Sequence, residues 1–241
     1  ITTKHGKEGK AQFSYDGMVA WSQQNTRLGM MNLREYAQFQ CDLADQGEIE
    51  KNSVSTHYRN PMYLGEGTDW QGAIFQTGFQ HQHQISAQGG TEKIHYYLSG
   101  SYMSQEGTII GSKFDRFSVR SNIDAQLTKW LKVGLNATFS TTNEDIKLAD
   151  GEQGIIFYSL AANPDQPIYD LDGNYFVGRS REGSGANVNP IAEAMLKSNT
   201  LKRQKLMGNI FLEIQPVKQF TFRSDFGFDI SSAKANSFVP T

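Results

Sequence analysis

Phe117-Ser118-Val119-Arg120-Ser121-Asn122-Ile123-Asp124-Ala125-Gln126-Leu127 changes character at almost every step. Phe117, Val119, Ile123, Ala125 and Leu127 hold the odd positions, with Ser121 the only polar one; Ser118, Arg120, Asn122, Asp124 and Gln126 fill the even ones. Successive side chains of a strand point to opposite faces, so this stretch predicts a strand with one apolar and one hydrogen-bonding face. After Thr128, Lys129 and Trp130 the pattern resumes: Leu131, Val133, Leu135, Ala137 and Phe139 alternate with Lys132, Asn136, Thr138 and Ser140. The two stretches read as a hairpin with matched faces.

The same period recurs outward from this hairpin. Leu206, Ile210, Leu212 and Ile214 lead to a turn at Pro216, Val217 and Lys218, and Phe220, Phe222, Phe226, Phe228 and Ile230 return from it; Asn209, Glu213, Arg223, Asp225 and Asp229 fall on the wet face. Upstream, Ala11, Phe13, Tyr15, Val19 and Trp21 alternate with Gln12, Ser14 and Asp16, and Ile94, Tyr96, Leu98 and Tyr102 alternate with His95, Ser99 and Ser101. Gln80 to Gln88 is a weaker strand with glutamines on one face. Strands are thus expected near 11–21, 80–88, 94–104, 114–127, 131–142, 202–215 and 219–231. Each is about as long as a tilted strand needs to be to cross a bilayer.

The connections sort into two sets. Gly89 to Lys93, Thr128 to Trp130 and Pro216 to Lys218 are tight; Ser22 to Phe79 and Thr141 to Leu201 are long, and Gln105 to Lys113 is intermediate. In an up-and-down meander every second connection lies at the same end, so all tight turns fall on one side and all larger loops on the other. Outer-membrane barrels are built this way, with short periplasmic turns and long outer loops. The expected fold is all-β: a transmembrane antiparallel up-and-down β-barrel, present in part, with long helix-containing extracellular loops. The helices are expected at Asn32 to Ala44, capped by Asn32, at Gly154 to Ala162, and at Pro190 to Lys197 behind Asn189.

Composition limits the alternatives. The chain has 241 residues and a formal net charge of −2, which gives no basic field for nucleic acid. One cysteine, Cys41, excludes an internal disulfide framework and reads as a small residue on a helix face. No stretch approaches the roughly 18–20 apolar residues of a membrane-spanning helix; the best run is Gly154 to Ala162. Ile1 to Lys10 lacks the apolar core and cleavage site of a signal peptide, so either a mature chain starts there or the stretch is internal. A mean hydropathy of −0.52 does not argue against a barrel, because a wet lumen takes half the strand residues.

No constellation for chemistry stands out, and no metal or cofactor is expected. Asp170, Asp172, Gly173 and Asn174 resemble the start of a calcium loop but lack its downstream glutamate, and read as a turn. His81 and His83 share one side of a strand without a third ligand nearby. Gly183-Ser184-Gly185 is a loop rather than a phosphate cradle, and Glu144 with Asp145 reads as a solvated strand end. Trp130 and Phe139 suit the aromatic girdles at the two ends of a strand. Trp70, in a long loop, is the candidate for ligand contact, against the alternative of packing on the loop helix. Arg120, Asn122, Asp124, Arg223 and Asp225 are the candidates for lining a lumen.

Several motifs then occur in a familiar order. Ile1 to Lys4 with Gly6-Lys7-Glu8-Gly9, Thr68-Asp69-Trp70-Gln71 with Ile74-Phe75, and Gly89-Gly90-Thr91-Glu92-Lys93 before Tyr96-Tyr97-Leu98-Ser99 come first. They are followed by Tyr102 with Gln105-Glu106-Gly107, Phe114-Asp115-Arg116-Phe117 with Arg120-Ser121-Asn122, and Asn163-Pro164 with Asp172-Gly173-Asn174. In these motifs the chain resembles the SusC/RagA family of TonB-dependent outer-membrane transporters of Bacteroidetes. The resemblance implies that residues 1–10 end a plug domain and 11–241 begin the barrel. It further implies a location in the outer membrane of a Gram-negative bacterium, a SusD-like lipoprotein partner, an oligosaccharide or peptide substrate, and contact with outer-membrane lipid. The TonB complex would drive import through a region this chain does not carry, and the family brings no catalytic residues. About seven strands is an odd number where bacterial barrels are even, so more barrel is expected to flank this stretch. The rival expectation is a surface carbohydrate-binding β-sandwich, whose apolar faces would pack on each other in a core.

Overall fold

A computed structural model describes residues 8–149, 151, 154–177 and 188–239. The Ile1 to Lys4 and Gly6-Lys7 motifs and the Gly183-Ser184-Gly185 segment lie outside these residues. Seven strands, β1 (Gly9–Ser22), β2 (Gly78–Gly90), β3 (Ile94–Glu106), β4 (Lys113–Thr128), β5 (Leu131–Asp145), β6 (Ser198–Val217) and β7 (Phe220–Phe238), form one antiparallel sheet in sequence order. Four helices, α1 (Leu33–Asp45), α2 (Trp70–Ile74), α3 (Ile155–Ala161) and α4 (Pro190–Leu196), sit in the connections, with 3-10 turns at Thr56–Arg59 and Pro61–Tyr63.

Strand pairing keeps every alternating face in register. Tyr15, Ile85, Gly100, Val119, Phe139, Leu206 and Ile230 form one continuous cross-strand row, each opposite the next. A second row on the same face joins Tyr96, Ile123, Leu135, Ile210 and Phe226. A one-residue slip anywhere would turn one strand's apolar side into the polar face, so the pattern itself fixes the register. Among the described residues no layer packs on the apolar face: Phe226 is 68% and Ile210 49% exposed. A sandwich within this chain would bury these side chains under a second sheet, whereas the described strands form a single sheet.

From Phe117 to Leu127 the apolar face of β4 runs roughly 33 Å along the strand at about 3.3 Å per residue. At a tilt near 40° this is about 25 Å along the barrel axis, the height of the apolar band of an outer-membrane barrel.

The strands outrun their alternating stretches. β6 begins at Ser198 rather than near 202, and β7 continues to Phe238 rather than ending near 231. Above the apolar band both faces are wet, so pairing persists where alternation has no reason to. Gly9 and Lys10, expected in the plug, already belong to β1, with Gly9 opposite Gly90 across a register shift before Gln12. Pro216, expected in a turn, lies inside β6 instead; the turn is at 218–219. The register shift between Ile214 and Val217 accommodates it, since a residue without an N–H is tolerated where the ladder skips.

Burial is concentrated in the larger connections. One core joins Trp70 and Ile74 of α2 to Ile155, Ala162, Ile191 and Ala194 from the β5–β6 connection, with Ile109 and Ile110 of the β3–β4 connection packed against it. All three larger connections therefore meet at one end of the sheet. A second core under α1 gathers Ala37, Ala44, Val54 and Tyr58. Cys41 packs beside it, its Sγ donating to the Tyr58 carbonyl.

Candidate functional site: the polar wall and the loop cleft

The strands place Arg120, Asn122 and Asp124 of β4 and Arg223 and Asp225 of β7 on the same, polar face of the sheet. They are not one cluster. Asn122 heads a row of amides: it stands opposite Asn136, whose Nδ2 donates to Asn209 Oδ1 at 3.1 Å. Asn122 itself is only 3% exposed. Arg120, one row toward the loops, donates from Nε to Thr138 Oγ1 at 3.4 Å. Further along, Ser14 and Ser86 share a hydroxyl contact of 2.6 Å, and Ser101 and Ser118 one of 2.7 Å.

Toward the tight turns the wall changes chemistry. Arg223 donates from Nε and Nη2 to Asp225 at 2.9 and 3.1 Å, and from Nη1 to Glu213 at 3.5 Å. Its guanidinium lies 4.1 Å from the centre of the Phe211 ring, close enough for a cation–π contact. Phe211 is 4% exposed and stands directly between Gly134 and Asp225. Alternation alone passes over Phe211, an aromatic residue on a wet face. The findable signal is Gly134 in the adjacent strand: a Cβ there would lie 2.0 Å from Phe211 Cε1 and 2.7 Å from Asp124 Oδ1. Gly134→Ala should therefore overpack the wall, at about 1–3 kcal/mol in chemical denaturation of the refolded barrel. Adding Phe211→Leu should recover most of the loss, and a double variant no better than the single one would show that the ring does not set the constraint.

The long connections build the second feature. Asn32 caps α1 in a reciprocal box with Glu35: Asn32 Oδ1 accepts from the Glu35 N–H at 2.9 Å and Glu35 Oε2 from the Asn32 N–H at 3.0 Å. Asp69 caps α2 by accepting from the Gly72 N–H at 2.8 Å. The β1–β2 and β5–β6 connections are stitched together: the Thr68 N–H donates to Pro164 O at 2.9 Å, Thr68 Oγ1 to Gln166 O at 2.6 Å, and Tyr58 OH to Asp165 Oδ2 at 2.5 Å. Gly67 makes the close approach possible; its φ is +76°, and a Cβ would lie 2.3 Å from Pro164 O. In the same connection as Asp165, burial and then the neighbouring Tyr169 push the Tyr175 phenol above its ordinary range.

Between the two connections is a cleft of about 530 Å³, lined among others by Met30, Met31, Tyr36, Phe39, Asp69 and Trp70. This is within the usual size range of ligand pockets. Trp70, the expected ligand contact, is 4% exposed and donates from Nε1 to Asn163 O at 2.9 Å. Its ring is part of the loop core and also borders the cleft. Met30, Met31 and Phe39, which the sequence does not single out, present the accessible apolar surface.

The other candidates are used locally. Asp170 Oδ1 accepts from the N–H groups of Asp172 and Asn174, closing a turn through Gly173 at φ +83°. His83 Nδ1 is 2.7 Å from Tyr15 OH, and both histidines lie on the apolar face. Among the described residues no group of three or more His, Cys, Asp or Glu side chains is placed to hold a metal ion.

No family model matches the chain. Curated relatives do. It is 26% identical over 248 residues to TonB-dependent receptor P3 of Formosa agariphila, covering 100% of this chain and 23% of that protein. It is 28% identical over 231 residues to TonB-dependent receptor SusC of Bacteroides thetaiotaomicron, covering 87% of this chain and 22% of SusC. Among solved structures, the RagAB peptide importer in its open-open state matches 98% of this chain and 29% of its own with a TM-score of 0.75 at 22% identity. The closed-closed state gives 0.73 at 24% identity. In fold and in sequence the chain is thus similar to one section of the barrel wall of TonB-dependent receptors. More narrowly, its likeness is to SusC in sequence and to the RagAB importer in fold. It spans less than a quarter of the length of these curated relatives.

Proposed function

We propose that the protein containing this stretch imports oligosaccharides or peptides across the outer membrane of a Gram-negative bacterium, driven by TonB and working with a SusD-like surface lipoprotein. The observation that carries this reading is the sheet's division into an unpacked apolar face of bilayer height and a continuous polar face, with every larger connection gathered at one end. In that reading the apolar face meets lipid. The wall containing Arg120, Asn122, Asp124, Arg223 and Asp225 faces plug and solute. The cleft with Met30, Met31 and Phe39 belongs to the outer rim, where solute or lipoprotein would be received. Residues before β1 would leave the plug, and the open edges at β1 and β7 would be paired by further strands, since unpaired backbone groups in lipid cost several kcal/mol each. The wall offers amides, hydroxyls and ion pairs, a lining that suits the passage of a polar solute.

The test is uptake. In the native host, the protein should fractionate with the outer membrane, co-elute with a lipoprotein, and support entry of labelled oligosaccharide or peptide that stops when the inner-membrane proton gradient is collapsed. Uptake that survives the collapse, or a protein found in the soluble fraction, would overturn the proposal.

A further inference from the structure

Lys202 of β6 stands directly opposite Lys234 of β7. Both are on the apolar face, an even number of residues from Leu206 and Ile230, and both are exposed. Like charges directly opposite destabilise a strand pair. Two cations of the polar face on the same strand find carboxylates: Lys205 reaches Asp229 at 3.0 Å and Arg203 reaches Glu144 at 3.7 Å. Among the described residues Lys202 and Lys234 have no such ion pair. On the far side of Lys202 is Asn143, a neutral donor. Asp145, diagonal to Lys202, is directly opposite Lys113, and Lys113 is also within 3.3 Å of Asp115.

The depth of the pair is as informative as its charge. Leu206 and Ile230 close the continuous apolar band on these strands, and the lysines follow four residues later. At 3.3 Å per residue and a tilt near 40° that is roughly 10 Å beyond the band. This is the outer margin of the headgroup layer, and flexible lysine stems can bend back into it. From β2 to β7 the same hydrogen-bonded row contains His81, Ser104 and Asp115 beside Asn143 and the lysines, and it is polar until Val19 of β1. We propose that Lys202 and Lys234 clamp the phosphate of an outer-leaflet lipid headgroup on the outside of the wall, with Asn143 beside it. An anion between the two ammonium groups turns a repulsive pair into a bridged one. The inference rests on the reading that this face spans the outer membrane.

The experiment uses the full-length protein, extracted in mild detergent, with retained lipids counted by native mass spectrometry. Lys202→Gln with Lys234→Gln should lower the retention of phosphate-bearing lipid by about fivefold for each lysine. Unchanged retention overturns the clamp. Lys234→Glu, which creates an ion pair with Lys202, should raise the melting temperature in lipid-free detergent while lowering lipid retention. A lower melting temperature would show that Lys234 already has a carboxylate on the strand beyond β7, and would overturn the clamp too. Inorganic phosphate added to the lipid-free protein should stabilise it less than phosphate-bearing lipid does; equal stabilisation would assign the site to a free anion. Fractionation separates the two levels of failure: absence from the outer membrane sinks the transport reading, whereas a membrane-embedded protein with unaltered lipid retention sinks only the clamp.

Discussion

Ile210→Arg is expected to destabilise the folded barrel by about 2–4 kcal/mol in a bilayer, whereas Gln204→Arg on the same strand and the same face should cost about 0–1 kcal/mol. Ile210 stands between Leu135 and Phe226 near the middle of the apolar band, with paired strands on both sides. A charge there has no water to reach and no partner on its face. Gln204 lies between Thr141 and Ser232 above the band, where a guanidinium remains hydrated. The contrast is therefore a depth gauge. Denaturant unfolding in vesicles, followed by tryptophan fluorescence, measures both variants against the parent. Equal losses at the two positions would mean that the face does not meet lipid. A loss at Ile210 that persisted in a water-soluble form, without lipid, would point to an ordinary core.

Trp70→Ala is expected to remove about 3–5 kcal/mol from the loop assembly, the usual cost of truncating a buried tryptophan. The ring is the largest member of the core that α2, α3 and α4 share, and its N–H satisfies the Asn163 carbonyl. Trp70→Phe should keep most of the packing and remove one of the two bonds that the Asn163 carbonyl accepts, the other coming from the Gln166 N–H at 3.2 Å, at about 0.5–1.5 kcal/mol. Because this core lies outside the sheet, the strands should remain paired while the connections loosen. Limited proteolysis should then cut the β1–β2 and β5–β6 connections rapidly in Trp70→Ala, with the heat-modifiable band of the folded barrel preserved. Loops as resistant as the parent's would contradict the assigned role. If instead only solute binding fell and the loops stayed intact, Trp70 would be a ligand contact after all.

Much of the sheet could be read from the chain because a strand between lipid and water is written in a two-residue period. Phe117 to Leu127 needs no knowledge of its neighbours to show which side is wet. Asn32 was equally legible, since a cap and its Glu35 partner are local in sequence. What stayed hidden is whatever depends on distant segments. Phe211 looks misplaced until Gly134 is seen beside it, and Trp70 looks available until Asn163, far along the chain, closes over it. Pro216 misled for a different reason: proline usually marks a turn, and only the skipped pairing between Ile214 and Val217 shows that a strand can absorb it. The short helix α2 gave too few residues for a helical period, though Asp69 at its start was a usable sign.

The seam at Gly67, Thr68 and Pro164 joins two connections that leave the sheet at β1 and at β5. The strands between them are thus enclosed in a circuit, hydrogen-bonded along the sheet on one side and tied across the seam on the other. A single break in either connection would leave both ends of the circuit attached. A nick in one connection therefore need not become a loss of part.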